Sequence, residues 1–467
     1  MRFDGRVRFV SSFLFVLNVF LYLPITIYIP ALAFTQATDI NIHFVTPIIC
    51  GICIFYTTIG GLKAVVWSDA FQFTAMLGAM TAVFYLGLVN VGGFGNIWST
   101  SMAGGRLDID MDISPVKRDT FWAAVIGLSF GWIAHIGVSQ GSVQKFLSLP
   151  SMEACKHTTI IMAIGMMLNK TYAVLTGLMM YTKYHDCDPI STKQIQKGDQ
   201  MMPFFVLDVA GSIPGLPGLF IAGVFCASLS TLSAILNCIS GVIYQDFLKR
   251  FLPKNLSEHS ISNILKMIVL ITGVISTALV FFIENMGNLF PLAMKLTGLA
   301  QGPLVGLFTL GMMFPVANAK GATVGGLASL GIVSWMLIGA YHYQSKGTLR
   351  DVPKALSTDG CPFPVNTTLT TQLSPPSEVP FFLYRISYYY YTFVGSMITI
   401  ITGLIVSYFT GKKDDPPVHR DLITPIMHFL LPQEEAITNE KIYYTVEKAL
   451  SLLNVETESE KQVGIKR

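Results

Sequence analysis

Apolar residues run through this chain in ten long stretches separated by short polar breaks. They cover residues 9–35, 45–62, 70–89, 121–144, 158–182, 216–244, 267–283, 289–316, 321–343 and 386–410. Each is about as long as the ~20 residues that cross a bilayer core at 1.5 Å of rise per residue. The pattern predicts an all-α, polytopic membrane protein of about ten transmembrane helices. The first stretch follows Arg2, Arg6 and Arg8, and it contains Pro24 and Pro30. It is too long, and lacks the small-residue cleavage site, to be a signal peptide, so it reads as a retained helix.

Composition agrees with the pattern. Of 467 residues, 52% are hydrophobic and only 13% charged, with 32 Phe. No soluble domain of this size needs so many apolar residues. The net charge of +3 is small and scattered among loops, which argues against a nucleic-acid partner. No metal-ligand spacing, phosphate-binding loop, nucleophile elbow or zinc-type His pair occurs, and the eight His residues are dispersed. Nothing here suggests an enzyme.

An even number of crossings puts both ends on one side, and a small excess of Lys and Arg at the breaks favours a cytoplasmic start. Residues 345–380 then lie outside, where Asn366-Thr367-Thr368 forms an N-glycosylation sequon in a polar, Pro-rich setting. Cys187 and Cys361 fall outside too and form a candidate disulfide. Cys50, Cys53, Cys155, Cys226 and Cys238 lie in or beside apolar stretches as small packing residues. The chain divides into a membrane-spanning region, 1–410, and a polar cytoplasmic tail, 411–467, too poor in apolar residues to form a core of its own.

The stretch from Gly218 to Asp246 stands out, being uncharged until its last residue. Ala227, Ser230, Thr231, Ala234, Asn237, Cys238 and Gly241 recur at three- and four-residue spacing and share one helix face. Such a stripe permits close helix packing, with hydroxyls bonding across helices or to their own carbonyls. It also brings two hydroxyl oxygens one turn from the Ala227 carbonyl, an all-oxygen cluster suited to a hard, weakly held cation such as Na⁺. On physical grounds alone packing is the simpler reading.

Only His135, Lys170 and Lys295 place an ionisable group well inside a stretch. A charge at mid-bilayer costs at least ~2.5 kcal/mol, so each marks a functional candidate. Lys170 with Asn169 would present a cation and an amide to a carboxylate; the plainer alternative is snorkelling. His135 lies in a helix interrupted by small and polar residues, the kind of break that opens a midplane site, although a satisfied structural histidine is the simpler reading. Lys295 sits near a helix end and reads as an interfacial side chain. Asp69, between two stretches, reads either as a helix N-cap or as a polar waypoint for an inward-moving cation.

Several motifs at consistent spacing resemble the sodium:solute symporter family. They are Tyr56-Thr57 with Gly60-Gly61-Leu62-Lys63-Ala64-Val65 and Trp67-Ser68-Asp69, then Val143-Gln144-Lys145-Phe146-Leu147, then Tyr184-His185-Asp186-Cys187-Asp188-Pro189, then Pro214-Gly215-Leu216-Pro217-Gly218-Leu219-Phe220. Ser228-Leu229-Ser230-Thr231, Gly302-Pro303-Leu304 and Ile386-Ser387-Tyr388 narrow the likeness to the branch of monocarboxylate, multivitamin and iodide transporters. The resemblance spans nearly all of residues 1–432.

It implies a leucine-transporter-like inverted-repeat bundle, with residues 121–316 forming one repeat. It also implies a Na⁺ site half built from the Ala227 carbonyl and the Ser230 and Thr231 hydroxyls, with Asp69 at the family's acidic position tied to sodium coupling. Relatives begin with about three further membrane helices, so a truncated, non-transporting chain is the rival expectation. The sugar-contacting lysine, glutamine and gate tyrosine of glucose-type relatives fall at Met166, Met294 and His135, which argues against a sugar. The expectation is a plasma-membrane Na⁺ symporter for a small organic anion, a monocarboxylate such as lactate first, with a vitamin (pantothenate or biotin) or iodide as alternatives. Trp132, His135 and Lys170 are the expected substrate contacts.

Overall fold

In the computed structural model the chain is all helical among the described residues. These are residues 2–253, 255–284, 286, 288–349, 354, 356–362, 379–411 and 418–430, with the side chains of 56, 59–70 and 430 excluded. Asn366, and the tail beyond Leu430, fall outside them.

Helix α1 (Gly5–Thr38) begins where the Asp4 carboxylate accepts hydrogen bonds from the Arg6 and Val7 amides, and ends at Asp39 in a left-handed conformation. The others that matter here are α2 (Ile42–Asn90), α3 (Phe94–Ala103), α4 (Ala123–Gly137), α5 (Gln140–Leu147), α6 (Met152–Tyr184), α7 (Met201–Ala210) and α8 (Leu216–Val242). They are followed by α9 (Glu258–Ile283), α10 (Leu289–Met313), α11 (Ala319–Ser345), the short α12 (Phe382–Arg385) and α13 (Tyr391–Thr410). Among the described residues eight helices are long and apolar enough to cross a membrane, or nine if α4 and α5 form one broken span.

The ten apolar stretches map onto these helices with one difference. Stretches 45–62 and 70–89 lie on the single continuous helix α2, of 49 residues. At 1.5 Å per residue it is ~74 Å long, more than twice a bilayer core. The N-cap reading of Asp69 is therefore incorrect, because a cap needs an extended backbone and residue 69 lies within uninterrupted helix. The intervening segment 62–69 contains neither Gly nor Pro to break the hydrogen-bond ladder.

Two packing regions organise the bundle. Leu23, Ile27, Ile49, Leu232, Leu236 and Val280 form a core where α1, α2, α8 and α9 meet. Elsewhere α10, α11 and α13 approach until backbone touches backbone: a Cβ added at Gly302 would stand 3.0 Å from the Gly395 Cα, and one at Gly325 would stand 2.5 Å from the Thr399 carbonyl oxygen. Small residues permit that approach, which is how membrane helices associate without a hydrophobic drive between them.

The two ends of the bundle are tied differently. At the end carrying the N-terminus, the Arg2 guanidinium donates to the carbonyls of Gly311, Phe314, Pro315 and Ala317 at 2.6–3.3 Å, capping the last turn of α10. The tail returns to the same end, where the Thr424 amide donates to the Met312 carbonyl at 2.9 Å. At the other end Cys187 and Cys361, 174 residues apart, form a disulfide with Cα atoms 4.9 Å apart. Two backbone bonds flank it, Asp188 N to Ser357 O and Gly360 N to Asp186 O, both 3.0 Å.

Candidate functional site

Helix α8 is held by one face and open on the other. Its buried positions include Ser228, Leu232, Leu236 and Ile239. Ala227, Ser230 and Thr231 lie on the opposite side, with Ala227 exposed and the two hydroxyl residues half-buried. One buried bond fixes this orientation. Pro30 in α1 has no amide hydrogen, so the Thr26 carbonyl four residues earlier loses its helical donor. The Ser228 hydroxyl donates to that carbonyl at 2.6 Å. A buried carbonyl left without a donor costs ~1–3 kcal/mol, so the bond locks α8 against α1.

Beside this lock, the Thr231 hydroxyl donates to the Ala227 carbonyl at 2.9 Å. That is the back-bond foreseen by the packing reading. The helical amide of Thr231 takes the carbonyl's other lone pair, so the two oxygens can share a hard cation, at about 2.3–2.6 Å from each, only when the hydroxyl turns its hydrogen away and frees one. Lower on the stripe packing prevails: the Cys238 thiol lies 3.8 Å from the Gln144 amide oxygen of α5, and a Cβ on Gly141 would stand 3.4 Å from the Cys238 sulfur. The stripe thus divides into a packed end at Cys238 and an open, oxygen-bearing end at Ala227. Asp69 lies in α2, but its side chain is outside the described residues.

The interrupted helix at His135 breaks where the sequence places it. Between α4 and α5 the axis bends by 52°, and the Ser142 hydroxyl donates to the His135 carbonyl at 3.2 Å, standing in for a lost helical bond. The turns before the bend are π-helical, over Ala123–Leu128 and Ile133–Gly137, a local widening found often at functional sites.

Trp132, His135 and Lys170 come together there. The Lys170 ammonium stands 5.5 Å from the centroid of the Trp132 ring, and the Trp132 and His135 rings meet edge to face at 5.9 Å. Trp132 is half-buried, and His135 and Lys170 are exposed. An ammonium on an indole face is stabilised by ~0.5–2 kcal/mol, which offsets only part of the cost of a charge near mid-membrane. Plain hydrocarbon therefore suits the face that carries Lys170 poorly. Lys295 differs: its ammonium donates to the Gln344 amide oxygen at 2.8 Å, near the disulfide end of the bundle.

Sequence reasoning did not find the Ser228–Thr26 bond, although Pro30 four residues after Thr26 is its signal. Nor did it pair the basic N-terminus with the π-helical turn Ile243–Leu248 that follows α8, where Arg8 donates to the Asp246 carboxylate at 2.7 Å and Ser12 bonds the other oxygen.

A broken helix beside an open, oxygen-bearing helix inside a glycine-packed bundle fits the leucine-transporter-like fold. A solved Na⁺-coupled sialic acid symporter, in a substrate-bound outward-open state, shares this fold with a TM-score of 0.66 at 22% identity, covering 89% of this chain and 76% of that one. The chain belongs to the sodium:solute symporter family, whose profile matches residues 1–329. It is 36% identical over 431 residues to mouse sodium-coupled monocarboxylate transporter 2, covering 91% of this chain and 69% of the relative. Human sodium-coupled monocarboxylate transporter 1 is 34% identical over 469 residues, covering 97% of this chain and 75% of the relative. A putative sodium-dependent multivitamin transporter from Drosophila melanogaster is 34% identical over 418 residues, covering 87% of this chain and 68% of the relative. These relatives are transporters rather than enzymes, and Na⁺ is the co-transported ion of the family.

Proposed function

We propose that this chain couples inward Na⁺ flow to the uptake of a small organic anion, a monocarboxylate such as lactate first, across the plasma membrane. Both termini are cytoplasmic in this reading, and Asn366 is glycosylated outside. Na⁺ is held by the Ala227 carbonyl and the Ser230 and Thr231 hydroxyls, with Asp69 on its inward path. The anion's carboxylate is received by Lys170, with Trp132 and His135 forming the wall beside it. Access alternates by rocking of one helix repeat against the other around these sites.

The observation that carries the reading is the Lys170 ammonium 5.5 Å from the Trp132 ring, on an exposed mid-helix face beside the bend. A fixed cation there supplies a charge-assisted contact for a carboxylate. Met166 and Met294 at the sugar-contact positions offer no hydroxyl recognition and favour a small anion.

The test is uptake of labelled lactate by cells expressing the chain, with sodium and with choline in its place, and with pantothenate, biotin or iodide as competitors. Sodium-dependent lactate uptake, lost in Lys170→Gln at equal surface expression, is the expected result. Stronger competition by pantothenate or biotin than by unlabelled lactate would move the substrate to the vitamins. Uptake equal in sodium and choline would overturn the reading and favour a non-transporting chain.

A further inference from the structure

A second cationic recess lies at the disulfide end of the bundle, apart from the Lys170 cluster. It has a volume of about 580 Å³, is walled by leucines of α10 and α11 and by tyrosines of α11, α12 and α13, and holds Arg118, Lys295 and Arg385. No Asp or Glu lines it among the described residues. Arg118 is paired at the rim with the Asp119 carboxylate at 2.9 Å. Arg385, half-buried on α12, has no hydrogen-bond or ion-pair partner among the described residues. Lys295 reaches the same space from α10, with its ammonium held at 2.8 Å by Gln344.

A half-buried guanidinium presents a planar fork that matches a carboxylate with two parallel hydrogen bonds. An ammonium on a neighbouring helix adds a second positive charge, and Tyr384 and Tyr388 add aromatic faces and hydroxyls. The size of the recess decides the class of guest. Cavities of ~300–1,000 Å³ enclose ligands of drug-like size, and a three-carbon acid would leave most of this one empty. We propose that the recess binds an amphipathic organic carboxylate with an aromatic or branched apolar body, Arg385 clasping the carboxylate and the leucine and tyrosine wall burying the body. This site is distinct from the transported anion's and does not depend on sodium.

The test is equilibrium binding of 2-naphthoate to the full chain in zwitterionic lipid nanodiscs, in sodium-free buffer, by titration calorimetry. The Lys170→Gln variant serves as background, so that the Trp132–His135–Lys170 cluster does not contribute. One saturable site is expected there, weakened at least tenfold by adding Arg385→Gln and severalfold by adding Lys295→Gln, and not displaced by excess lactate. Lys295→Gln keeps the test decisive should Arg385→Gln fail to fold. Naphthoate binding unchanged by both substitutions, abolished by Lys170→Gln alone, or non-saturable as for partition into lipid would overturn the proposal. Failure of sodium-coupled lactate uptake would leave the naphthoate result untouched, so the two readings fail separately.

Discussion

Helices α10 and α6 are alike in apolar character, yet 56% of the apolar window of α10 is buried inside the protein against 6% of that of α6. Helix α10 is clamped between α11 and α13 at glycines and serves as scaffold. Helix α6 touches little, carries Lys170 in its middle, and faces the bend of α4 and α5. The contrast separates two uses of small and polar residues in a membrane. In the scaffold they are consumed internally, as where the buried Ser329 hydroxyl donates to the Gly395 carbonyl at 2.6 Å. On the open side they stay accessible, and in the proposed reading it is there that an ion and a solute are met.

The contrast is sharpest for glycine. Replacing Gly325 with Val pushes a Cβ to within 2.5 Å of a backbone carbonyl oxygen and 3.0 Å of the Gly403 amide nitrogen. Overpacking against backbone costs ~1–3 kcal/mol or more, so folded protein recovered by size-exclusion chromatography should fall severalfold. Gly165→Ala on α6 meets nothing within 4 Å, and its yield should match that of the unaltered chain. Equal losses for the two would erase the distinction between scaffold and open face.

On the open side the reverse holds. Lys170→Gln should reduce anion uptake at least tenfold while leaving the melting temperature in detergent within a degree or two, because its ammonium's contact with the Trp132 ring is worth only ~0.5–2 kcal/mol. A large drop in melting temperature with proportionate uptake would make Lys170 structural.

The joint between the two regions is the Ser228–Thr26 bond beside Pro30. Ser228→Ala should destabilise the chain by ~1–3 kcal/mol, since it strands a buried carbonyl. Pro30→Ala restores a helical donor to that carbonyl, so in the double variant the cost of losing the Ser228 hydroxyl should largely disappear. Additive effects of the two changes would deny the coupling. A smaller effect concerns the disulfide end. Cys361→Ser should lower the thermal midpoint while leaving sodium dependence unchanged, because Cys187 and Cys361 join two loops and supply no ligand to the proposed ion site; a changed sodium dependence would mean those loops act on the ion site.

Much of this architecture was legible in the sequence because its signals are local. Apolar runs located every long helix, and the small and polar residues around His135 and Gly137 located the bend. Three- and four-residue spacing put Ala227, Ser230 and Thr231 on one face. Contacts across hundreds of residues left no comparable trace, as with Arg8 and Ser12 on Asp246 or Arg118, Lys295 and Arg385 around one recess. The continuity of α2 through Asp69 also escaped, because Ser68 and Asp69 have the chemistry of an N-cap whether or not the backbone uses it. The motifs fixed the family, yet a motif cannot show which face of α8 is held and which is open; the partner of Ser228 does.

The central claim is that the oxygens of Ala227, Ser230 and Thr231 bind the sodium that drives uptake. Its most direct test is initial lactate uptake as a function of sodium concentration for the unaltered chain and for Thr231→Ala at equal surface expression. Losing one ligand oxygen is expected to raise the half-activating sodium concentration roughly tenfold, about 1.4 kcal/mol, with uptake recovering toward its maximum at high sodium. A half-activating concentration unchanged by Thr231→Ala would contradict the account.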